Sequence, residues 1–335
     1  MRVRVPPAEQ KEKDMQLKVF TAFSGYDSQC MALDRLGIGY DLVGWSEIDK
    51  YAIQAHNAVY PQYRDRNFGD ICHIDWAKVP DFDLFTYSFP CTDISTAGKQ
   101  AGLEKGSGTR SSLLWECEKA IETKMPKYLL MENVKALVSK KFINYFNEWV
   151  SYLQSIGYSN FWKVMNAKDY GVPQNRERVF MISILGVNEY YEFPQPFKLD
   201  IKLKDVLENN IEDYYVKHPA NKWILSDKAK RTLKMRYASI DNDIAICVTA
   251  RGFVSWNCTY VTRKDGNITI LTNKEVFRLM GISDYDIERI QASGISYSQQ
   301  YYMAGNSIVV DVLFYIFKNL FIERKRKKYI QLKLF

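Results

Sequence analysis

The apolar positions of this chain fall into short runs separated by amphipathic stretches. Runs at 17–22, 42–46, 84–87, 128–131, 161–166 and 179–184 have the length of buried strands. Between them, 28–36, 50–59, 112–124 and 142–156 read as helices, with Gly37 and Gly157 where helices stop. Strands joined through helices by short links imply an α/β, mostly parallel sheet covered on both faces. The pattern changes after Gly186: Pro194 and Pro196 mark a linker, and 197–298 is mixed, with short strands at 245–249 and 260–263 and a tight turn at Asp265-Gly266. The segment 308–326 predicts a helix ending in a basic run, read as a solvated helix end. No apolar run reaches membrane-spanning length, because Asp311 interrupts 308–317. Residues 1–15, with Pro6-Pro7, read as a flexible arm. The expected division is 16–192 with 299–335 as one large domain and 193–298 as a smaller one.

Three of the predicted strand ends carry chemistry. Ser88-Phe89-Pro90-Cys91 follows the third strand, and Pro ends a strand because it has no N–H for the ladder. Met131-Glu132-Asn133-Val134 closes the next apolar run, and Gln174-Asn175-Arg176-Glu177-Arg178 precedes another. Taken singly, Cys91 reads as a small core residue and Glu132 as an acid in a strand-end ion pair. Together they present a thiol, a carboxylate and an arginine pair where open α/β sheets place their sites.

Those blocks resemble the DNA (cytosine-5)-methyltransferases of bacterial and phage type. The likeness runs in the family's order through Phe23-Ser24-Gly25, Glu47 in Trp45-Ser46-Glu47-Ile48-Asp49, Gly69-Asp70-Ile71, and the three blocks above. It continues through Leu271-Thr272, Glu275 and Arg278-Leu279-Met280-Gly281 to Gly305-Asn306-Ser307. The resemblance implies a Rossmann-like sheet binding S-adenosylmethionine, with 193–298 as a target-recognition domain. It implies transfer of a methyl group to C5 of a flipped-out cytosine at a short site in double-stranded DNA. Cys91 would add to C6, because C5 is a poor nucleophile until a thiolate makes the ring enamine-like. Glu132 would act at N3, Arg176 at the base O2, and Arg178 as a brace. Phe23, Gly25, Glu47, Ile48, Asp70, Ile71, Pro90 and Asn306 would surround the cofactor, with Asp70 and Ile71 holding and covering the adenine. This chain departs from the family in lacking further glycines after Gly25 and in carrying Thr92 where Gln is common.

The segment 92–112, rich in Gly, Ser and Thr, resembles a loop that closes on DNA. Lys99 and Arg110 are then phosphate contacts or ordinary surface residues. In the smaller domain Thr249, Arg251, Trp256 and Asn257 form the most contact-like patch, with Arg251 reading guanine or meeting phosphate. A net charge of +7 permits nucleic-acid binding. Six cysteines without a C-x-x-C pair, and three histidines, argue for a reducing compartment and against a metal centre. The expectation is a cytoplasmic monomer without membrane attachment, belonging to a restriction–modification system with a cognate endonuclease or serving phage self-protection. A tRNA cytosine-5 methyltransferase of the same fold and an inactive DNA-binding relative stay open as alternatives. Amino-group methylation fits less well, because it needs an Asp/Asn-Pro-Pro-aromatic loop where this chain has Phe89-Pro90-Cys91.

Overall fold

A computed structural model describes residues 16–91, 110–232, 238–252 and 258–324. The segment 92–109, with Lys99, and Trp256 and Asn257 lie outside the described residues, as does the side chain of Arg110. The chain order of the main sheet is β1 Leu17–Ala22, α1 Ser28–Leu36, β2 Tyr40–Ser46, α2 Lys50–Val59, β3 Leu84–Tyr87, α3 Leu114–Lys124, β4 Tyr128–Val134, α4 Ile143–Ser155, β5 Tyr158–Asn166, β6 Gln174–Asn175 and β7 Glu177–Leu185. Six of these strands form one sheet in the order β2-β1-β3-β4-β7-β5. The pairings from β2 to β4 are parallel, while β7 runs antiparallel to both β4 and β5.

Alternation along each strand shows that both faces are covered. Val19, Leu42, Leu84 and Leu130 belong to one core with α1, α2 and the C-terminal helices. Their neighbours Phe20, Val43, Phe85 and Leu129 belong to the other, with Trp115, Phe146 and Trp149 of α3 and α4. Successive side chains of a strand point to opposite faces, so continuous apolar runs are what a doubly covered sheet needs. α1 starts sharply because Asp27, at φ 70°, accepts from the Cys30 N–H and from Thr21 Oγ1.

The smaller body holds α5 Asp213–Val216, α6 Pro219–Ile224, α7 Asp227–Thr232, β8 Ser239–Ile240, β9 Ala245–Ile246, β10 Thr259–Thr262 and β11 Ile268–Ile270. β8, β10 and β11 form a three-stranded sheet, with the expected turn at Asp265-Gly266 joining β10 to β11. α8 Asn273–Leu279, α9 Asp284–Ala292, α10 Tyr297–Asn306 and α11 Val310–Phe317 return to the main sheet. Gln54 of α2 donates to the Ser293 carbonyl just after α9. The strand expected over 245–249 stops at Ile246. The backbone of Val248 is taken by side chains instead: its N–H donates to Gln174 Oε1 and its carbonyl accepts from Arg176.

The proline-containing connection behaves as a strap. Tyr170 Oη donates to the Pro194 carbonyl, the Phe197 N–H to the Asp169 carbonyl, and Asn319 to the Glu192 carbonyl. α10 and α11 follow each other so closely that Tyr297–Glu323, 27 residues, is long and apolar enough to span a bilayer by length and composition. The sequence reading missed this because Asp311 breaks the apolar run. Asp311 is neutralised by Arg35 of α1 at 3.1 Å, and half of the apolar stretch is buried inside the fold. A core helix pair meets these facts without a membrane.

α10 ends against the smaller body. A Cβ at Gly305 would lie 2.1 Å from the Ala250 nitrogen and 2.2 Å from the Thr249 carbonyl carbon, so the backbones touch where only glycine fits. Gly305→Ala should therefore destabilise the protein by about 1–3 kcal/mol or more, as overpacking does. A lowered urea midpoint with an unchanged m-value would confirm it; a wild-type midpoint would refute the contact.

Candidate active site

The C-terminal ends of β1, β3 and β4 and the start of the antiparallel β7 meet at one edge of the sheet. Chain reversal explains how residues at the end of β4 and the beginning of β7 become neighbours. Glu132 stands opposite Phe180 and Val134 opposite Arg178, so Glu132 and Arg178 are diagonal neighbours on one face. Arg178 Nε lies 3.2 Å from Glu132 Oε1. The other carboxylate oxygen accepts from Ser88 Oγ at 2.5 Å, and Glu132 is buried.

The loop carrying Cys91 is held at three consecutive residues. Ser88 donates to Glu132, Asn133 Nδ2 donates to the Phe89 carbonyl at 3.0 Å, and Ser111 Oγ donates to the Pro90 carbonyl at 2.7 Å. The thiol that follows is partly exposed. Burial pushes its pKa above the ordinary thiol value; Arg178 opposes that rise and Glu132 adds to it. Arg178 itself pays for burial, yet Cys247, Glu132 and Cys91 around it hold the guanidinium more firmly charged than usual.

The two arginines differ in what they hold. Arg176 is buried, and its guanidinium donates to the carbonyls of Val248 at 2.7 Å, Gly305 at 3.0 Å and Ser307 at 2.6 Å. Arg178 pairs instead with Glu132, and its charge acts on the Cys91 thiol. Spacing alone does not reveal this, because the partners that claim Arg176 come from the far end of the chain. Glu177 pairs with Lys135 at 2.9 Å.

The cofactor candidates gather at the neighbouring strand ends. Phe23, at φ 55°, and Gly25, at φ 58°, shape the loop after β1. The Glu47 carboxylate accepts from the N–H groups of Gly25, Ile48 and Asp49 at 2.8–3.0 Å, fixing it beside that loop. Ser46 Oγ donates to the Gly69 carbonyl and brings the Asp70 turn alongside. Ile48 is 64 % exposed, an apolar side chain without cover, and the Ser24 hydroxyl is buried without a hydrogen-bond partner. The set fits a nucleoside carrying a charged sulfonium: a fixed carboxylate for hydroxyls, an open apolar face for a ring and an orphaned hydroxyl. Ile71 belongs to the same core cluster as Phe20 and Trp76 and presents almost no surface, whereas Ile48 is open. Asp70 Oδ1 caps its own turn through the Cys72 N–H, Pro90 is partly exposed and Asn306 exposed.

Of the DNA candidates, Arg251 is exposed at the tip of a turn closed by the Gly252 N–H to the Thr249 carbonyl. Thr249 instead keeps a buried hydroxyl without a partner, against Gly305. The sequence reading missed Ser88, Ser111 and Cys247. Ser88 was legible as the residue preceding Phe-Pro-Cys; the other two carry no local signal.

Comparison with known proteins places this edge in a family. The model of the C-5 cytosine-specific DNA methylases matches residues 17–322. The type II methyltransferase M2.ScrFI of Lactococcus lactis subsp. cremoris is 39 % identical over 363 aligned positions, covering 91 % of this chain and 99 % of that protein. The orphan methyltransferase M.SssI of Spiroplasma monobiae is 36 % identical, covering 77 % and 70 %. Among solved structures, the S. pombe Dnmt2 methyltransferase superposes with a TM-score of 0.73 at 19 % identity, covering 92 % of this chain and 99 % of that one. The Entamoeba histolytica methyltransferase EhMeth gives 0.76 at 18 %, covering 93 % and 99 %.

Because its thiol is pushed up, Cys91 should react with iodoacetamide at a rate that climbs steadily as pH rises from 7 to 9. Arg178→Met removes the cation that favours the thiolate and should slow that alkylation about three- to tenfold at pH 8. Peptide mass spectrometry of Cys91 reads both effects, and equal rates in the two proteins would remove Arg178 from the site's electrostatics.

Proposed function

Since this chain belongs to the C-5 cytosine-specific DNA methylase family and methylates cytosine in DNA, we propose that it does so through a covalent adduct between Cys91 and C6 of a cytosine extruded from the duplex. The observation that carries this reading is the convergence of Cys91, Glu132 and Arg178 at one strand edge. The Cys91 thiolate adds to C6, and the displaced electron pair moves through the ring toward N3. Glu132, as a carboxylic acid, donates a proton to N3, and Arg178 donates hydrogen bonds to the O2 side of the base, spreading the charge that develops. C5 is now nucleophilic. After C5 is methylated, solvent water takes the C5 proton, Cys91 leaves as thiolate and N3 returns its proton to Glu132, which restores the aromatic ring. C6 is shielded inside a stacked duplex, so the base must leave the stack first.

S-adenosylmethionine would be held by Phe23, Gly25, Glu47, Ile48, Asp70, Pro90 and Asn306, and supplies an electrophilic methyl group on sulfonium. In this reading 16–192 with the returning helices α8 to α11 form the catalytic body, and the recognition body ends near 272, short of the expected boundary at 298. Arg251, exposed on its turn, reads the duplex. Lys99 and Arg110, both in the segment 92–112 after Cys91, contact phosphate, while Thr249, with its hydroxyl buried, supports the turn that carries Arg251. The protein acts as a monomer, with a cognate restriction endonuclease as its counterpart where the two are encoded together.

Incubation with S-adenosylmethionine and unmethylated genomic DNA, followed by sequencing for 5-methylcytosine, should return one short methylated motif. Absence of methylation, with transfer to tRNA instead, would overturn the DNA reading. Cys91→Ala should abolish transfer and the trapped adduct with 5-fluorocytosine DNA while retaining cofactor binding by calorimetry. Glu132→Gln should slow single-turnover transfer by about 10²–10⁴, the usual worth of a general acid, at unchanged DNA affinity. A wild-type rate would remove Glu132 from proton transfer.

A further inference from the structure

Glu132 is the acid of the reaction described above, and both of its carboxyl oxygens are held. Oε1 lies 3.2 Å from Arg178 Nε, and Oε2 accepts from Ser88 Oγ at 2.5 Å. Glu132 is only 5 % exposed, so bulk water does not replace either partner. The Ser88 contact follows from the sheet itself. β3 and β4 are parallel, and Tyr87 stands opposite Met131. The next rung brings Ser88 beside Glu132. The rung after it is closed by Asn133 Nδ2, which donates to the Phe89 carbonyl at 3.0 Å. Ser88 is therefore fixed on both sides along the chain, and its short side chain has a single heavy-atom torsion with which to reach the carboxyl group.

The two partners of Glu132 are chemically unlike. A guanidinium N–H only donates, so Arg178 meets Oε1 as an acceptor and nothing else. A hydroxyl both donates and accepts, and its hydrogen turns to suit its partner. A proton on Oε1 would face a cation; a proton on Oε2 faces an oxygen that accepts it. As Oε2 hands its proton to N3, its O–H bond breaks and an N–H bond forms. The oxygen left anionic then takes the Ser88 hydrogen. When N3 returns the proton, the hydroxyl turns back.

We propose that Ser88 is a positioning residue for the proton transfer: its hydroxyl, in register beside Glu132, places the exchangeable proton on Oε2 and holds the carboxyl group in both of its protonation states. The inference rests on the reading of Glu132 as the acid. It gives the polar residue ahead of Phe89-Pro90-Cys91 a role separate from that of the loop it precedes.

The test compares Ser88→Ala and Ser88→Thr with the parent enzyme, and Ser88→Ala again in a Glu132→Gln background. Single-turnover transfer at saturating cofactor should fall about tenfold in Ser88→Ala, as expected when a catalytic group loses its support, with KM for DNA unchanged within about twofold. Ser88→Thr keeps the hydroxyl and should recover to within about threefold of the parent. In the Glu132→Gln background Ser88→Ala should slow transfer by less than about twofold, because no exchangeable proton is left to place. Alkylation of Cys91 at pH 8 should stay within about twofold of the parent in Ser88→Ala, because Asn133 and Ser111 still hold the loop.

A parent rate in Ser88→Ala beside a slowed Glu132→Gln would overturn this proposal alone. So would the full tenfold loss persisting in the Gln background, or a Thr variant as slow as Ala. A Cys91 alkylation rate shifted as far as the transfer rate would assign Ser88 to the loop and overturn it too. If the parent transfers no methyl group to DNA, or Glu132→Gln matches the parent, the catalytic reading fails and this proposal falls with it. Should Ser88→Thr fail to fold by thermal melting, the Ala and Gln-background comparisons decide by the same criteria.

Discussion

One buried guanidinium holds the working geometry together. Arg176 reaches across 72 positions of sequence to Val248, 129 to Gly305 and 131 to Ser307, joining the start of β7, the smaller body and the end of α10. Each carbonyl it satisfies is one the local backbone leaves without a ladder partner, and each would be costly to bury unpaired. The desolvation of a guanidinium is large, so the charge stays only because three oxygens and a sulfur converge on it. Gly305 makes that convergence possible by letting two backbones touch.

Around this hub burial and charge act on the Cys91 thiol in opposite directions. Burial holds it protonated more firmly than a free cysteine, and Glu132 close by reinforces it. Arg178 pulls the other way. A thiol guarded in this manner resists stray oxidation and alkylation. The loop that carries it is held by its backbone through Asn133 and Ser111.

Most of the sheet was legible in the sequence because a doubly covered strand writes itself as an unbroken apolar run. β1 and β3 fall at the expected residues, and α1 and α2 at theirs. The edge that carries the chemistry was legible for a related reason: polar residues directly after such runs have nowhere to go but the sheet's rim. What the sequence hid were relationships among distant residues. Arg176 and Arg178 are two positions apart and chemically identical, and only Val248, Gly305 and Ser307 decide which one is consumed by structure. Ile71 and Ile48 are equally apolar, and only packing against Phe20 and Trp76 shows which is spent on the core. The strand at 245–249 was overlong in the sequence because its periodicity cannot reveal that side chains, rather than a neighbouring strand, claim the Val248 backbone.

The strap at 190–200 bears on how the protein searches a duplex. A reading head on a slack tether would sample a cloud of positions, and each encounter would pay the entropy of bringing head and chemistry into alignment. Here the connection is clasped to Tyr170, Asp169 and Asn319 along its course. The point at which the smaller body departs from the main sheet is therefore set by the fold, like the hinge pin of a calliper, and not by the wandering of a tether.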